Sequence, residues 1–249
     1  MKKYELTAEF IEKWGKKLFR IKALISFGSV EVGELGGYVE KEDNLAQDGD
    51  AWVYGDAWVY GNAEVCGDAE VYGNAEVSGD AWVSGNARVY GDAEVYGNAR
   101  VYGNAEVSGD AWVSGNARVY GNAEVSGNAE VSGNARVYGD AWVSGNARVY
   151  GDAWVCGDAE VCGDADYLLI GRIGSRFSFT TFFKNKDKGI TVSCGCFLGT
   201  IAEFRAKVTD THGNNKHAKM YNLAADMVEL QILGEEHFDK LNTNKSEPF

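Results

Sequence analysis

The chain has 249 residues, a formal net charge of −13, three histidines, five cysteines and one proline. Such an acidic balance disfavours direct binding to nucleic-acid phosphates or to anionic membranes, and an odd number of cysteines does not indicate a disulfide framework. No apolar run reaches membrane-spanning length and no signal peptide precedes Tyr4, so we expect a protein of a reducing cytoplasm that has no membrane partner.

Residues 1–38 are predicted to form a small β cap and its lead-in. The segment Leu18-Phe19-Arg20-Ile21-Lys22-Ala23-Leu24 alternates loosely between apolar and polar residues, as a half-buried strand does. The preceding Trp14-Gly15-Lys16 predicts a turn. A cap at this position would cover the open backbone at one end of a stack of strands, as repeat proteins require.

A six-residue spacing begins at residue 39 and predicts a repeat domain over residues 39–165. Val39 and Leu45 lie twelve and six residues before Ala51, the first alanine of the regular repeat. This spacing places Val39 and Leu45 in alanine positions, and it places Lys41 and Gln47 in valine positions. We therefore expect an irregular first turn.

From residue 50 to residue 165 the chain repeats the unit Asp/Asn-Ala-X-Val-Y-Gly, where X is Trp, Glu or Arg and Y is Tyr, Ser or Cys. Valine recurs at every sixth position from Val53 to Val161, which makes 19 units. Ala and Val are two apart, so they share one side of a strand, and X and Y share the other. Gly and Asp/Asn tolerate the left-handed backbone of a corner. Each unit is therefore one short strand and one corner.

This unit resembles that of the hexapeptide-repeat family, the left-handed parallel β-helix. The resemblance implies a mainly β fold: a triangular helix with 18 residues per coil and about six coils. The left hand is implied by the resemblance alone, because crossovers between parallel strands are generally right-handed. The alternative is a right-handed or four-sided helix. This segment carries ten Asp, eight Glu and five Arg, so it accounts for the whole net charge.

Residues 166–234 are predicted to form a compact α+β module. Apolar runs at 167–170, 177–183 and 190–194 predict strands, and residues 185–189 predict a hairpin turn between the last two. Thr200-Ile201-Ala202-Glu203 is a capping box that predicts the start of a helix.

This first predicted helix ends at His212-Gly213-Asn214, and its apolar face carries Ile201, Phe204 and Val208. A second helix over about 215–232 is predicted to bury four side chains. They are Met220, Leu223, Met227 and Leu230. Residues 235–249 are predicted to be a flexible polar tail.

The flanks are similar to those of hexapeptide-repeat proteins carried by bacteriophages and prophages. The similar segments are 18–24, Gly33-Glu34-Leu35-Gly36-Gly37-Tyr38-Val39-Glu40, and the module with Tyr167-Leu168-Leu169-Ile170-Gly171 and Cys194-Gly195-Cys196. This resemblance implies the cytoplasm of a bacterial host cell. It also implies self-association into a homo-oligomer, because related coils often trimerise. It implies no defined biochemistry.

Histidine-dependent catalysis is not expected on the coil. The best-known hexapeptide proteins are acyltransferases with a histidine base, and γ-class carbonic anhydrases bind zinc through three histidines. This repeat contains no histidine, since His212, His217 and His237 all follow it. We therefore predict no catalytic residue, no cofactor and no metal site.

Two groups in the module are weaker candidates for metal binding. Asp210, His212 and His217 surround a Gly-Asn-Asn loop, and Cys194 and Cys196 would lie on one side of a strand. A solvated loop and a buried strand end are the simpler interpretations, because neither group has the spacing of a zinc site.

An 18-residue period stacks the outward residues into columns, and one face collects the candidate binding residues, here called the arginine stripe. The stripe consists of Trp82, Arg100, Tyr102, Arg118, Tyr120, Arg136, Tyr138 and Trp154. Arginine donates paired hydrogen bonds to carboxylate or phosphate groups and stacks on aromatic rings. The stripe is therefore a candidate docking surface for an anionic or aromatic partner or for a second rod.

The alternative is that the stripe is a by-product of repeat duplication. Residues 79–91, 109–121 and 139–151 are identical in sequence and are offset by 30, which is not a multiple of 18. Such copying places each copy of the segment on a different face of the rod, so the arginine column can arise without selection for one face.

The sequence favours a non-catalytic structural or protein-interaction protein of phage or prophage origin, with a rigid acidic rod that presents a binding surface. One alternative is a counter-defence factor that imitates DNA and inhibits a nucleic-acid enzyme of the host. Another is an enzyme that acts through the C-terminal module.

Overall fold

The computed structural model describes residues 2–236. The regular hexads form a β-solenoid, as predicted. Alanine and valine side chains point into the tube and are almost completely inaccessible to solvent, and the glycines of the corners adopt positive φ. The core of the regular coils is therefore a stack of small and β-branched side chains.

The solenoid strands stack on three faces. The arginine face consists of β6 Glu64–Val65, β9 Trp82–Val83, β12 Arg100–Gly103, β15 Arg118–Gly121, β18 Arg136–Gly139 and β21 Trp154–Val155. The glutamate face consists of β4 Trp52–Val53, β7 Glu70–Val71, β10 Arg88–Val89, β13 Glu106–Val107, β16 Glu124–Val125, β19 Trp142–Val143 and β22 Glu160–Val161. The cap face consists of β5 Trp58–Val59, β8 Glu76–Val77, β11 Glu94–Val95, β14 Trp112–Val113, β17 Glu130–Val131 and β20 Arg148–Val149.

Within the regular coils, paired residues lie eighteen apart. Arg100 pairs with Arg118 and Val101 with Val119 in parallel register, and the other two faces follow the same rule. The glutamate face has seven strands, so the solenoid has about seven coils. The sequence predicted about six coils from the regular hexads. The irregular first turn adds the seventh.

The corners stack as closely as the strands. At one corner, the Asn104 side-chain amide donates to Asn122 at 3.0 Å, and that of Asn122 donates to Asp140 at 2.9 Å. The neighbouring Gly103 has a φ of +76°, and a Cβ there would lie 3.1 Å from the backbone nitrogen of Gly121. Glycine is therefore required at this corner by both its φ and its close backbone contact.

The cap is a β hairpin that extends one face of the rod. β1 Tyr4–Lys13 pairs antiparallel with β2 Lys16–Ala23, and Trp14 and Gly15 form the predicted turn with positive φ. β2 pairs with β3 Leu35–Val39, which then pairs in parallel with β5. The hairpin thus occupies the open edge of the cap face, where an unpaired strand would invite aggregation.

The predicted register of the first coil is wrong by two residues. Val39 and Leu45 occupy valine positions, because they pair with Val59 and Val65, which lie twenty residues later rather than eighteen. A lysine or glutamine in the apolar tube would be costly to desolvate. Two extra residues in the corner after Leu45 avoid this by restoring the aliphatic side chains to the interior.

Lys3 stabilises this enlarged corner. The Lys3 ammonium group donates to the backbone carbonyl groups of Asp48, Gly49 and Ala51 at 3.3, 3.2 and 2.9 Å. Burial lowers the pKa of Lys3. The carbonyl groups that no neighbouring coil can pair are thereby satisfied by a side chain of the cap.

The cap also buries one tryptophan that was expected to face solvent. Trp52 occupies an outward position on β4, yet its side chain is completely inaccessible. Its ring contacts the rings of Tyr4 and Phe27, with centroid separations of 6.1 and 5.4 Å. The cap therefore covers the first level of the glutamate face as well as the edge of the cap face.

The C-terminal module is an antiparallel sheet with two helices. Its elements are β23 Tyr167–Ile173, β24 Ser178–Lys184, β25 Ile190–Cys194, β26 Phe197–Thr200, α1 Ile201–His212 and α2 Lys216–Leu233. Short 3₁₀ turns lie at Glu42–Asn44 and Asp164–Asp166. The capping box is confirmed, since the Thr200 hydroxyl accepts from the Glu203 amide and the Glu203 carboxylate accepts from the Thr200 amide. The sequence did not predict β26.

The predicted buried face of α2 is wrong. The side chains of Met220, Leu223, Met227 and Leu230 are 40%, 68%, 50% and 44% exposed. The apolar and aromatic residues that α2 buries are instead Ala218, Tyr221, Ala224, Ala225 and Val228. Both faces of the helix are apolar, and the smaller side chains allow α2 to approach α1 and the sheet closely.

Residues 237–249, which include His237 and most of the predicted tail, lie outside the described residues. Among residues 2–236, no helix is long and apolar enough to cross a membrane.

Replacing Gly103 with alanine is expected to destabilise the solenoid by roughly 1–2 kcal/mol, because an L-residue in left-handed backbone costs about that much. The matched control is Gly163→Ala, since Gly163 has a φ of −160° and open space around a Cβ. Urea unfolding followed by tryptophan fluorescence measures both variants. Equal midpoints would contradict the corner geometry.

A second pair of variants tests the orientation of α2. Val228→Ser is expected to destabilise the module by roughly 2 kcal/mol, because it removes buried methyl groups and buries a hydroxyl. Leu223→Ser is expected to change stability by less than about 0.5 kcal/mol, as exposed substitutions do. Hydrogen exchange of the α2 amides measures both changes. A larger loss of protection in Leu223→Ser than in Val228→Ser would show that the other face is buried.

Candidate docking face

The structure places every residue of the predicted arginine stripe on one face. Arg100, Arg118 and Arg136 lie in direct register on β12, β15 and β18. Trp82 pairs with Arg100 at one end of the column, and Trp154 pairs with Arg136 at the other. The column thus consists of three stacked arginines between two tryptophans.

Beside the arginines, three tyrosines form a stacked column. The ring centroids of Tyr102 and Tyr120 are 4.9 Å apart with an interplanar angle of 1°, and those of Tyr120 and Tyr138 are 5.0 Å apart at 4°. Each ring face is turned toward the next ring, so the three tyrosines form a continuous stack. It offers a row of hydroxyl groups next to the row of guanidinium groups.

The stripe arginines are not neutralised by the rod. Among residues 2–236, no carboxylate lies within ion-pair distance of Arg100, Arg118 or Arg136. In contrast, Arg88 on the glutamate face lies 3.5 Å from Glu70 and 3.4 Å from Glu106. Like charges directly opposite one another on adjacent strands are destabilising, so the three stacked guanidinium groups retain an unsatisfied preference for anions.

Aromatic rings support the two outer arginines of the column. The Arg100 guanidinium lies 5.8 Å from the Trp82 ring, and that of Arg136 lies 4.7 Å from the Trp154 ring. These cation–π contacts hold the side chains in place without cancelling their charge. The central Arg118 is the position at which an incoming anion would be surrounded by cations on both sides.

The tyrosine column is partly desolvated. Burial raises the pKa of Tyr120, and burial together with a hydrogen bond to the Cys156 thiol raises the pKa of Tyr138. Both hydroxyl groups therefore stay protonated well into the alkaline range. Tyr120 can donate a hydrogen bond to an anion beside the guanidinium groups, whereas the Tyr138 hydroxyl is engaged with the Cys156 thiol.

The C-terminal module borders the end of the stripe. The Trp154 amide donates to the Thr181 hydroxyl on β24 at 3.0 Å. A cleft of about 320 Å³ opens here between the rod and the module, and Arg136, Trp154 and Phe179 are among its lining residues. Sequence reasoning missed Phe179 because nothing in the strand pattern of the module indicates which coil it meets.

The two weaker candidates for metal binding are not assembled as sites. The rings of His212 and His217 are 5.8 Å apart, but the described residues contain no group of three or more potential metal ligands. Cys194 ends β25, and Cys196 lies beyond it in the turn that starts at Gly195. The expectation that both thiols lie on one side of a strand is therefore wrong, because the chain reverses between them.

Comparison with known families supports the repeat architecture. The YdcK β-solenoid repeat model matches residues 81–97, 93–109, 99–115, 111–127, 129–145 and 141–157. All six matches lie in the regular coils that carry the stripe, and each spans close to one coil. The chain is thus a β-solenoid repeat protein over this region. No curated protein matches it.

Tyr60 and Tyr120 of the rod are expected to ionise at higher pH in the folded chain than in the unfolded chain. Burial raises the pKa of Tyr120, and it raises that of Tyr60 to about 12. A raised pKa in the folded state contributes stability that is complete below about pH 10, the value for free tyrosine, and is lost as the pH rises above it. Spectroscopic titration of tyrosinate in native and urea-unfolded protein measures the difference, and coincident curves would contradict it.

Proposed function

We propose that the protein is a non-catalytic structural or interaction protein whose rigid rod presents the arginine stripe to an anionic partner. The observation that carries this proposal is the column of three arginines in register without an acidic neighbour. A rod that only needed stability would favour the arrangement around Arg88, where charges alternate in sign. A ligand that supplies anions would relieve the repulsion in the stripe.

We also infer a phage or prophage origin, action in the cytoplasm of the bacterial host and a left-handed coil. These inferences rest on the resemblance of the flanks and of the hexad to hexapeptide-repeat proteins. A catalytic role for the rod is disfavoured by the absence of histidine from the repeat. The outward positions of the repeat instead vary in charge and size, which suits a surface that recognises a partner.

A second candidate function is the imitation of DNA by the acidic rod. It is favoured by the net charge of the rod and by neighbouring carboxylates such as Glu106 and Glu124, which pair directly in β13 and β16. It is opposed by Arg88 and Arg148, which neutralise adjacent glutamates on two faces. A nuclease or topoisomerase retained by the rod in a salt-dependent manner would favour this function.

Affinity capture with the full chain tests the proposed function. Arg118→Gln is expected to weaken retention of partners from a lysate of the source cells by about tenfold, since a charge-assisted hydrogen bond contributes about 1.5–3 kcal/mol. The matched control is Arg148→Gln, which changes an arginine in the same position of a hexad on the cap face. Equal retention by the two variants and the parent chain would contradict a role for the stripe.

A further inference from the structure

We propose that the arginine face docks on the glutamate face of a second copy of this chain, with the two rods parallel and level. This inference rests on the proposed function and deepens it, because it names the occupant of the same stripe. It follows from the spacing of the charges, from the residues that lie at equal height, and from the parts of the rod that the cap and module leave uncovered.

The spacing of the stripe favours another stack of parallel strands as its partner. Arg100, Arg118 and Arg136 lie on adjacent strands and therefore repeat at about 4.8 Å. Residues on the same side of an extended peptide repeat at about 6.6 Å. The carboxylates of an acidic peptide strand would therefore not match the spacing of the arginines. The glutamate face presents Glu106 and Glu124 on adjacent strands at the same interval.

A closed assembly of parallel rods brings these two faces together at equal height. Copies related by rotation about an axis parallel to the rods have no shift along that axis. Each strand of the arginine face is followed six residues later, in the same coil, by a strand of the glutamate face. Arg100 of one copy is therefore level with Glu106 of the second copy.

Charges complement one another at four successive levels. The outward pairs, with the arginine face first, are Trp82 with Arg88, Arg100 with Glu106, Arg118 with Glu124, and Arg136 with Trp142. Two levels thus join opposite charges, and the other two join a cation with an aromatic ring. Among the described residues, Glu124 has no ion pair of its own, so it is free to receive Arg118 of the second copy.

Side-chain sizes complement one another at the same four levels. The second outward residues are Ser84 with Tyr90, Tyr102 with Ser108, Tyr120 with Ser126, and Tyr138 with Ser144. A tyrosine on one face always meets a serine on the other. Ser108 and Ser144 are recessed, with 7% and 8% of their surface exposed. The two faces can therefore interdigitate rather than collide.

The cap face fits the stripe less well. At equal height it would place Glu94 opposite Arg100, which is favourable, but it would also place Tyr96 opposite Tyr102 and Ser78 opposite Ser84. At these two levels large meets large and small meets small, whereas Ser114 and Ser132 would lie opposite Tyr120 and Tyr138. Charge fits both faces, since Glu94 and Glu130 would lie opposite Arg100 and Arg136. The glutamate face is selected by size, because a serine meets a tyrosine there at all four levels.

Within residues 2–236, three of the four complementary levels are left uncovered, and the fourth, at Arg136, borders the cleft beside the module. The cap buries Trp52 at the first level of the glutamate face, and the module contacts the arginine face at Trp154. The four matching levels lie between these two contacts, next to one level at which Glu64 would meet Glu70. Because the two docking faces differ, the contact is heterologous and can generate a closed ring rather than only a dimer.

A charge swap tests the inference. The parent chain is expected to sediment as a multiple of its 27.0 kDa mass, whereas Arg118→Glu and Glu124→Arg are each expected to give monomers. The double variant, with both changes in one chain, is expected to restore the assembly. Each single change places opposite charges beside one another within its own column, so neither is expected to unfold the rod, and circular dichroism verifies this.

The control is Glu94→Arg on the cap face, which is expected to leave the assembly intact. A monomeric parent chain, a double variant that stays monomeric, or dissociation by Glu94→Arg would each overturn the inference. These results leave the broader proposal separately testable. If the parent chain is monomeric but Arg118→Gln still loses a captured partner, the stripe binds another molecule.

Discussion

Backbone pairing between successive coils is the constraint on which the rest of the structure depends. The Arg100 amide donates to the Ala117 carbonyl and the Arg118 amide to the Ala135 carbonyl, each at 2.9 Å, and similar bonds recur along the rod. A slip of one residue would turn the outward Trp, Glu and Arg side chains into the tube. Only small or aliphatic side chains occupy the interior, so the register is fixed by what the interior can accept.

Once the register is fixed, the residues at each outward position stack into a column. Each side chain then interacts with its neighbours in the coils above and below. Asparagines at a corner form a chain of amide hydrogen bonds, and tyrosines form a continuous stack. Stacked arginines gain nothing comparable, since each adds to the repulsion felt by its neighbours. The arginine stripe is therefore the part of the rod whose free energy an anionic partner would lower most.

The regular part of the fold follows from the sequence because two independent periods agree. The alternation of Ala and Val with larger residues sets which side of each strand is buried, and the recurrence of Gly sets where the strand ends. The capping box at Thr200 was predictable for a similar reason, since its hydrogen bonds join residues three positions apart. The positions of the stripe residues were predictable from the 18-residue period alone.

The errors arise where a tertiary contact decides between two locally acceptable arrangements. Val39 falls in an alanine position by spacing, and it occupies a valine position only because two extra residues follow Leu45, which the spacing does not reveal. Helix α2 has two apolar faces, so the periodicity that includes Leu223 cannot show which face meets the sheet. Trp52 occupies an outward position like the other tryptophans, and the sequence does not show that Tyr4 and Phe27 cover it.

Electron paramagnetic resonance of spin labels on Ser114 and Ser132 tests the 18-residue register most directly, in a chain whose native cysteines are replaced by serine. These positions directly follow the adjacent strands β14 and β17 of the cap face, about 4.8 Å apart in the stacking direction. The register predicts strong spin–spin broadening for this pair and much weaker broadening for Ser114 with Ser126, which is nearer in sequence but lies on the glutamate face. Stronger broadening for the second pair would contradict the stacking of coils and, with it, the columns on which the docking face is built.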